Sequence, residues 1–244
     1  MNPQSKIHNP QSGEWLFCEL PEVEYEDALE LQRAIVAARN NGRLTDNIVL
    51  MLEHPPVFTL GRRGGFENLN VSAEFLEQKN ILVIPIERGG DITYHGPGQL
   101  ILYPILHLGR LNLSVTEFVE RLEEVMLHVA SEWHIPAERN DRNRGVWVGL
   151  NKMGSIGINL RHGVTFHGLA LNASVDLTPF EWINPCGLSD VGMTSMTREA
   201  ELPVEMHDVR TSTRRHVQDV FRVRLKEISQ DELVGKLELE EQSS

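Results

Sequence analysis

The sequence predicts an α+β fold, with mixed, mostly antiparallel sheets and helices packed on them, and three observations carry that expectation. Strand-like segments follow one another in runs instead of alternating strictly with helices. Three helical patterns stand before, within and after those runs. A chain of 244 residues with 41% apolar content is long enough to bury a sizeable core.

Taken in order, the first helix is expected over Tyr25 to Arg39, where Leu29, Leu31, Ile35 and Val36 supply an apolar face and "NNG" supplies the stop. The segments "NIVLMLEHPPVFTLG", "ILVIPIERGG" and "DITYHGPGQLILYPILHLG" are rich in Val, Ile, Leu, Tyr and Phe and broken by Gly and Pro, the composition of strands and turns. A second helix opens at Ser114, with Glu117 completing a capping box and apolar residues from Val115 to Trp133 at helical spacing; it ends before Pro136. Further strands follow in "GVWVGLNKMGSIGINLRHG" and "VTFHGLALNAS", joined by "RHGV" as a tight turn. The third helix is expected at roughly Val209 to Leu225, with polar Thr213 interrupting its apolar face.

Composition excludes several function classes. The longest apolar runs fall well short of the roughly 20 residues that span a bilayer, and the polar start "MNPQSKIHNPQSG" lacks a signal-peptide core, so a cytoplasmic location is expected. A formal charge of −12 argues against general affinity for nucleic acid or an anionic membrane. Two cysteines, Cys18 and Cys186, permit no disulfide framework, and neither sits in a zinc-binding pattern; no metal site is expected.

Three stretches stand out chemically. In "RGGDITYHGPGQ" four glycines surround Arg88, Asp91, Tyr94, His95 and Gln99; backbone this bare suits the wall of a binding site, or a bend between strands. It contains no nucleotide fingerprint. In "NKMGSIGINL", Lys152 is either a solvated strand end or an amine held out of bulk water beside apolar residues. In "WINPCGL", Cys186 lies between proline and glycine, where a loop would present a thiol, whereas Cys18 in "WLFCEL" reads as a small buried hydrophobe.

Taken together, "HPPVFTLG", "RGGDITYHGPGQ", "NKMGSIGI" and "INPCGL", in this order, resemble the lipoyl(octanoyl) transferases of lipoate biosynthesis, over about Val49 to Arg198 and with no departure at the motif positions. The resemblance implies a fold shared with biotin and lipoate protein ligases. It implies a single catalytic domain over residues 14–225, with 1–13 and 226–244 as variable or disordered tails. It implies transfer of an octanoyl group from octanoyl-acyl carrier protein to a specific lysine of a lipoyl domain, those of 2-oxoacid dehydrogenase E2 subunits and the glycine cleavage H protein being the acceptors. The family's nucleophile falls on Cys186 and its activating lysine on Lys152. Its substrate-binding segments fall on Arg88, Gly89, Gly90, Asp91, Ile92, Thr93, Tyr94 and His95, on Ser155, Ile156 and Gly157, and on Gly168, Leu169 and Ala170. No cofactor is implied, because one thioester replaces another and the final amide is the more stable product.

Two other classes compete with this reading. An ATP-dependent lipoate or biotin ligase would leave "NPCGL" without a task, and a non-catalytic acyl-binding module would leave the Lys152 motif unexplained. An acidic carrier protein meeting an acidic chain calls for a locally positive face, for which Arg62 and Arg63, with Arg139, Arg142 and Arg144, are the candidates.

Overall fold

The structure is a computed structural model that describes residues 13–140, 143–184 and 192–238. The chain enters through strand β1 (Glu14–Glu22), helix α1 (Tyr25–Asn40), β2 (Ile48–Glu53) and β3 (Val57–Leu60). Helix α2 (Ala73–Gln78) leads to β4 (Leu82–Pro85), β5 (Ile92–His95) and β6 (Gln99–Ile105), and α3 (Val115–Glu132) leads to β7 (Glu138–Arg139), β8 (Gly145–Val148), β9 (Asn151–Arg161) and β10 (Val164–Asn172). The last elements are β11 (Gly192–Met193), α4 (Met196–Glu199), α5 (Met206–Phe221), β12 (Arg224–Glu227) and α6 (Gln230–Glu238).

Among the described residues these strands form two sheets. The larger runs β12-β1-β2-β6-β10-β9-β8-β7 with β11 beside β9; the smaller runs β4-β3-β5. Pairings along β2-β6-β10-β9-β8-β7 and between β3 and β5 are antiparallel, while β1 pairs in parallel with β12 and β2, β3 with β4, and β11 with β9. The expected mixed, mostly antiparallel architecture is what forms.

The near-continuous apolar strands have a simple cause, since the larger sheet is covered on both faces. Trp15, Phe17, Val49, Met51, Leu100 and Leu102 pack against Phe118, Leu122 and Val125 of α3 and Val217 and Phe221 of α5. The alternate residues, Leu16, Cys18, Ile48, Leu50, Ile101 and Tyr103, pack against Ala28, Ile35 and Val36 of α1. Period-two alternation assigns each strand residue to one layer or the other. The smaller sheet has its own core of Phe58, Leu60, Ile92 and Tyr94, joined by Phe180 and Ile183.

Helix α3 begins as the sequence requires, with Ser114 Oγ accepting from Glu117 N–H and Glu117 reaching back to Ser114 N–H. Helix α5 differs from expectation at its end. Arg222 turns left-handed at φ +56°, and residues expected to continue the helix form β12 beside β1. Thr213 fits the apolar face because its hydroxyl donates to Val209 O at 2.7 Å.

The expectation of a variable or disordered tail from residue 226 needs correction over 226–238. Those residues complete β12 and form α6, since Ile228 and Leu233 bury themselves against Cys18 and its neighbours in the α1-side core. Residues 1–12 and 239–244 lie outside the described residues. Leu233→Ala is therefore expected to cost about 3 kcal/mol of unfolding free energy, the ordinary loss for a buried leucine. Urea unfolding of the two proteins checks it; coincident curves would mean that α6 adds nothing to the fold.

Candidate active site

Between the smaller sheet and the open edge of β9 lies a cavity of about 1210 Å³. The β9–β10 hairpin builds one wall. His162 and Gly163, at φ +49° and +83°, make a two-residue turn whose register places Gly157 opposite Gly168 and Ser155 opposite Ala170. At Gly168 a side chain is excluded, because a Cβ there would meet Leu102 O at 2.0 Å. The loop Arg88 to Asp91 faces this wall and is tied to it by Gly89 N–H donating to Ile158 O.

Thirteen of the fourteen residues expected to bind substrate line this one cavity: Arg88 to Thr93, His95, Ser155 to Gly157 and Gly168 to Ala170. Tyr94 is the exception and corrects the expectation. Strand alternation turns Thr93 and His95 into the cavity and sends the Tyr94 ring the other way, between Phe58 and Phe180.

Lys152 is not a solvated strand end. It is 3% exposed, lines the cavity, donates from Nζ to Asn143 Oδ1 at 3.1 Å and stands 5.3 Å above the Trp147 ring. Asn143 is held beside β8, where Glu123, a carboxylate 1% exposed, accepts from Gly145 N–H at 2.9 Å and pairs with Arg139 and Arg144. Met193 of β11 pairs with Lys152, so the chain returns to this lysine soon after the "NPCGL" segment. Cys186 itself lies outside the described residues. Cys18 is buried under α6, and burial, with Glu232 adding to it, pushes its thiol up to about 11, the condition of an inert cysteine.

Sequence reasoning missed a set of aromatic polar groups at the same cavity. Tyr25, Tyr103 and His167 line it beside His95, and His54 packs behind them. His54 opens the "HPPVFTLG" stretch, but the four residues come from separate segments, so no single motif announces them as a group. Two imidazoles have their tautomers fixed by neighbours. His54 Nδ1–H donates to Val23 O at 2.7 Å, which leaves Nε2 to accept from the Tyr103 hydroxyl at 2.7 Å. For His95 the assignment travels along amides. Thr194 N–H donates to Lys152 O, Asn172 Nδ2 donates to Thr194 O, Gln99 Nε2 donates to Asn172 Oδ1, and Gln99 Oε1 therefore accepts from His95 Nδ1–H at 2.7 Å.

Burial keeps all three imidazoles neutral. It lowers His54 to about 4 and, with Arg88 nearby, His167 to about 3; burial and then His54 hold His95 well below the ordinary range. His167 also carries backbone strain. It is left-handed at φ +57°, a conformation that costs a non-glycine residue about 1 kcal/mol, and its backbone N–H donates to Gln32 Oε1 at 2.7 Å.

Three of the arginines considered for a positive face, Arg62, Arg139 and Arg144, are already engaged. Arg139 pairs with Glu123 and Glu124, Arg144 with Glu120 and Glu123, and Arg62 donates to Glu87 O and Asn159. Among the described residues, three carboxylates stand against the two guanidinium groups of Arg139 and Arg144. Arg142 lies outside the described residues.

Comparison with known proteins adds the following. Residues 24–218 match the lipoyl protein ligase A/B catalytic domain. An octanoyltransferase of Desulfotalea psychrophila is 53% identical over 192 residues, 78% of this chain and 86% of that protein. An octanoyltransferase of Caldicellulosiruptor saccharolyticus is 43% identical over 218 residues, covering 88% and 92%. Among solved structures, lipoate-protein ligase A bound with ATP superposes with a TM-score of 0.73 at 15% identity, over 94% of each chain. A bi-partite lipoate protein ligase from Thermoplasma acidophilum gives 0.72 at 14% identity, over 94% and 92%. At such identity the structural likeness speaks for the fold alone.

The buried imidazoles make stability pH-dependent. Their folded pKa values lie below the ~6.5 of an unfolded histidine, so the unfolded chain binds more protons in the window below it. Their contribution is complete above about pH 6.5 and is lost as pH falls, at roughly 1.4 kcal/mol per pH unit for each group. Denaturant midpoints measured from pH 7.5 to pH 5 are expected to fall steeply below 6.5, and a flat profile would mean that these rings titrate as if solvated.

Proposed function

Because the chain belongs to the octanoyltransferases of the lipoyl protein ligase A/B catalytic-domain family, and so is an acyltransferase, we propose that it carries an octanoyl group from octanoyl-acyl carrier protein, through a thioester on Cys186, to one lysine of a lipoyl domain. The acceptors are the lipoyl domains of 2-oxoacid dehydrogenase E2 subunits and the glycine cleavage H protein, and the setting is cytoplasmic. Among the described residues no helix is long and apolar enough to cross a membrane.

The observation that carries the reading is Lys152. A lysine 3% exposed, hydrogen-bonded to Asn143 and lining a cavity with the glycine-rich loop, is costly to bury, and a buried ionisable group in a cleft is the mark of a functional site. Beside a thiol, its ammonium favours the thiolate, whose free pKa is about 8.5.

In the first step the Cys186 thiolate attacks the carbonyl carbon of the carrier's thioester. The bond from that carbon to the carrier sulfur breaks, the Lys152 ammonium gives its proton to the departing sulfur, which leaves as the carrier thiol, and Cys186 holds the octanoyl group. With the thiolate consumed, Lys152 loses its counter-charge and becomes easier to deprotonate. In the second step the neutral acceptor amine attacks the new thioester, Lys152 in its neutral form takes the amine proton, and Cys186 leaves as a thiolate while the amide forms. Thioester exchange followed by amide formation runs downhill without ATP.

Intact mass spectrometry after mixing with octanoyl-acyl carrier protein, without ATP, is expected to reveal one octanoyl adduct, on Cys186. Protein that stays unmodified while transferring octanoate would sink the covalent route, and an adduct confined to Cys18 would sink the assignment. Lys152→Met is expected to slow single-turnover transfer by at least about 100-fold and to slow alkylation of Cys186 at neutral pH. Lys152→Arg, which keeps the charge but does not release a proton, is expected to retain more of the alkylation rate than of the transfer rate. If all three proteins alkylate and transfer alike, Lys152 serves the fold only.

A further inference from the structure

At the Lys152 end of the cavity the strands are shaped around one side chain. Val146 pairs with Gly154 and Trp147 with Lys152, so β9 carries one residue more than β8 across that step, and Met153 is the extra one. A bulge of this kind re-aims the side chains beside it. The Lys152 stem then runs past Gly145, whose φ of +127° favours glycine and where a Cβ would meet Lys152 Cε at 2.8 Å and Gly154 O at 2.2 Å. The corner is bare where the lysine crosses it.

Two residues hold that corner and the amine. Asn143 Oδ1 accepts from Lys152 Nζ at 3.1 Å, and Asn143 O accepts from Trp147 Nε1–H at 3.1 Å, so one residue ties the amine and the ring beneath it to the same point. Glu123 stands behind, on the buried face of α3. Its Oε1 accepts from Gly145 N–H at 2.9 Å, and its Oε2 accepts from Arg139 Nε at 3.3 Å and Arg144 Nη1 at 3.2 Å. The carboxylate therefore grips both residues that follow Asn143, one by its side chain and the other by its backbone. A carboxylate 1% exposed is a costly anchor for a turn, and two guanidinium groups with one backbone donor offset that cost.

Resting on the octanoyl-transfer reading, we propose that Glu123 and Asn143 are positioning residues for Lys152: Asn143 sets where the amine stands, and Glu123, through Gly145 and Arg144, sets where Asn143 stands. Lysine has a flexible four-carbon stem, yet its nitrogen must give a proton to the carrier sulfur and later take one from the acceptor amine at the same place. An amide oxygen accepts from that nitrogen whether it is charged or neutral, so one contact serves both steps. A carboxylate at position 143 would favour the ammonium and oppose the second.

The test is a double-mutant cycle on Lys152, read by iodoacetamide alkylation of Cys186 at neutral pH and by single-turnover octanoyl transfer. With Lys152 present, Glu123→Gln and Asn143→Ala are each expected to slow alkylation at least about 3-fold and transfer at least about 10-fold, with KM for the carrier substrate within about 2-fold of wild type. Glu123→Gln keeps an oxygen for Gly145 but turns an NH₂ toward two arginine donors. In Lys152→Met the same substitutions are expected to change either rate by less than about 2-fold, because no amine remains to be placed. Residues that serve only the fold would slow both backgrounds alike. Equal losses in the two backgrounds, or no loss with Lys152 present, overturn the proposal. Should Glu123→Gln fail to fold by circular dichroism, the part assigned to Glu123 is overturned, and Asn143→Ala, at a half-buried position outside any helix, decides the part assigned to Asn143. Wild type that transfers no octanoyl at all overturns the reading beneath the proposal instead.

Discussion

The rest of the site depends on the pairing register of β9 with β10. Eight successive pairs, from Val164 opposite Arg161 to Leu171 opposite Gly154, leave no freedom about which residues share a face. A slip of one residue would turn every side chain to the opposite layer, moving Leu169 and Leu171 out of the α3-side core and Ala170 out of the α1-side core. The two-residue turn at His162 and Gly163 fixes that register locally, and pairing of β10 with β6 fixes it again, with Ala170 opposite Ile101 and Leu169 opposite Leu102. Segments far apart in the chain thereby become one wall. The left-handed backbone at His167 interrupts the regular alternation at the point where the wall meets Tyr25 and Tyr103.

The two ends of the cavity differ in their polar groups. The Lys152 amine lies at one end, against an amide oxygen and an aromatic face, with Glu123 a layer further out fixing the β8 corner through Gly145. At the other end and behind it the titratable rings are neutral, and burial raises the Tyr25 and Tyr103 hydroxyls as it lowers the imidazoles. The chain of amides from Thr194 to His95 joins these regions rigidly, because each carbonyl has one donor to meet and no amide in it can turn without facing like against like. Such a network specifies geometry more than it adds stability.

Much of this was legible in the sequence, for reasons that can be named. Helix α3 carries its own start signal in the Ser114–Glu117 box, and the turn "RHGV" needs positive φ at two positions, one of them a glycine. What escaped was tertiary. The stop of α5 lies at Arg222, a residue with no turn signature, left-handed only because β12 is drawn to β1. The tail from residue 226 is polar enough to read as solvent-exposed, and its order depends on Ile228 and Leu233 finding the α1 layer. At Lys152 the flanking apolar residues left both readings open, and only the packing around it decides for burial. Tyr25, His54, Tyr103 and His167 were invisible as a group because four separate segments contribute one ring each, and only the sheet order brings them together.

A reaction that exchanges thioesters has little chemical energy to spend on alignment, so on the proposed reading the alignment must come from binding the chain. Burying seven CH₂ or CH₃ groups yields roughly 6 kcal/mol at about 0.8 kcal/mol per group. Much of that is useful only when the chain is fully seated, because a carbonyl displaced by a carbon's length from the nucleophile forfeits the benefit of proximity. The depth at which the chain seats in the cavity therefore sets the position of its carbonyl relative to Lys152. The neutrality of the imidazoles at the far end then follows from the same requirement. An ionised ring there would hold water against the apolar chain and oppose its seating, so the burial that keeps His54, His95 and His167 uncharged also keeps the cavity receptive to hydrocarbon.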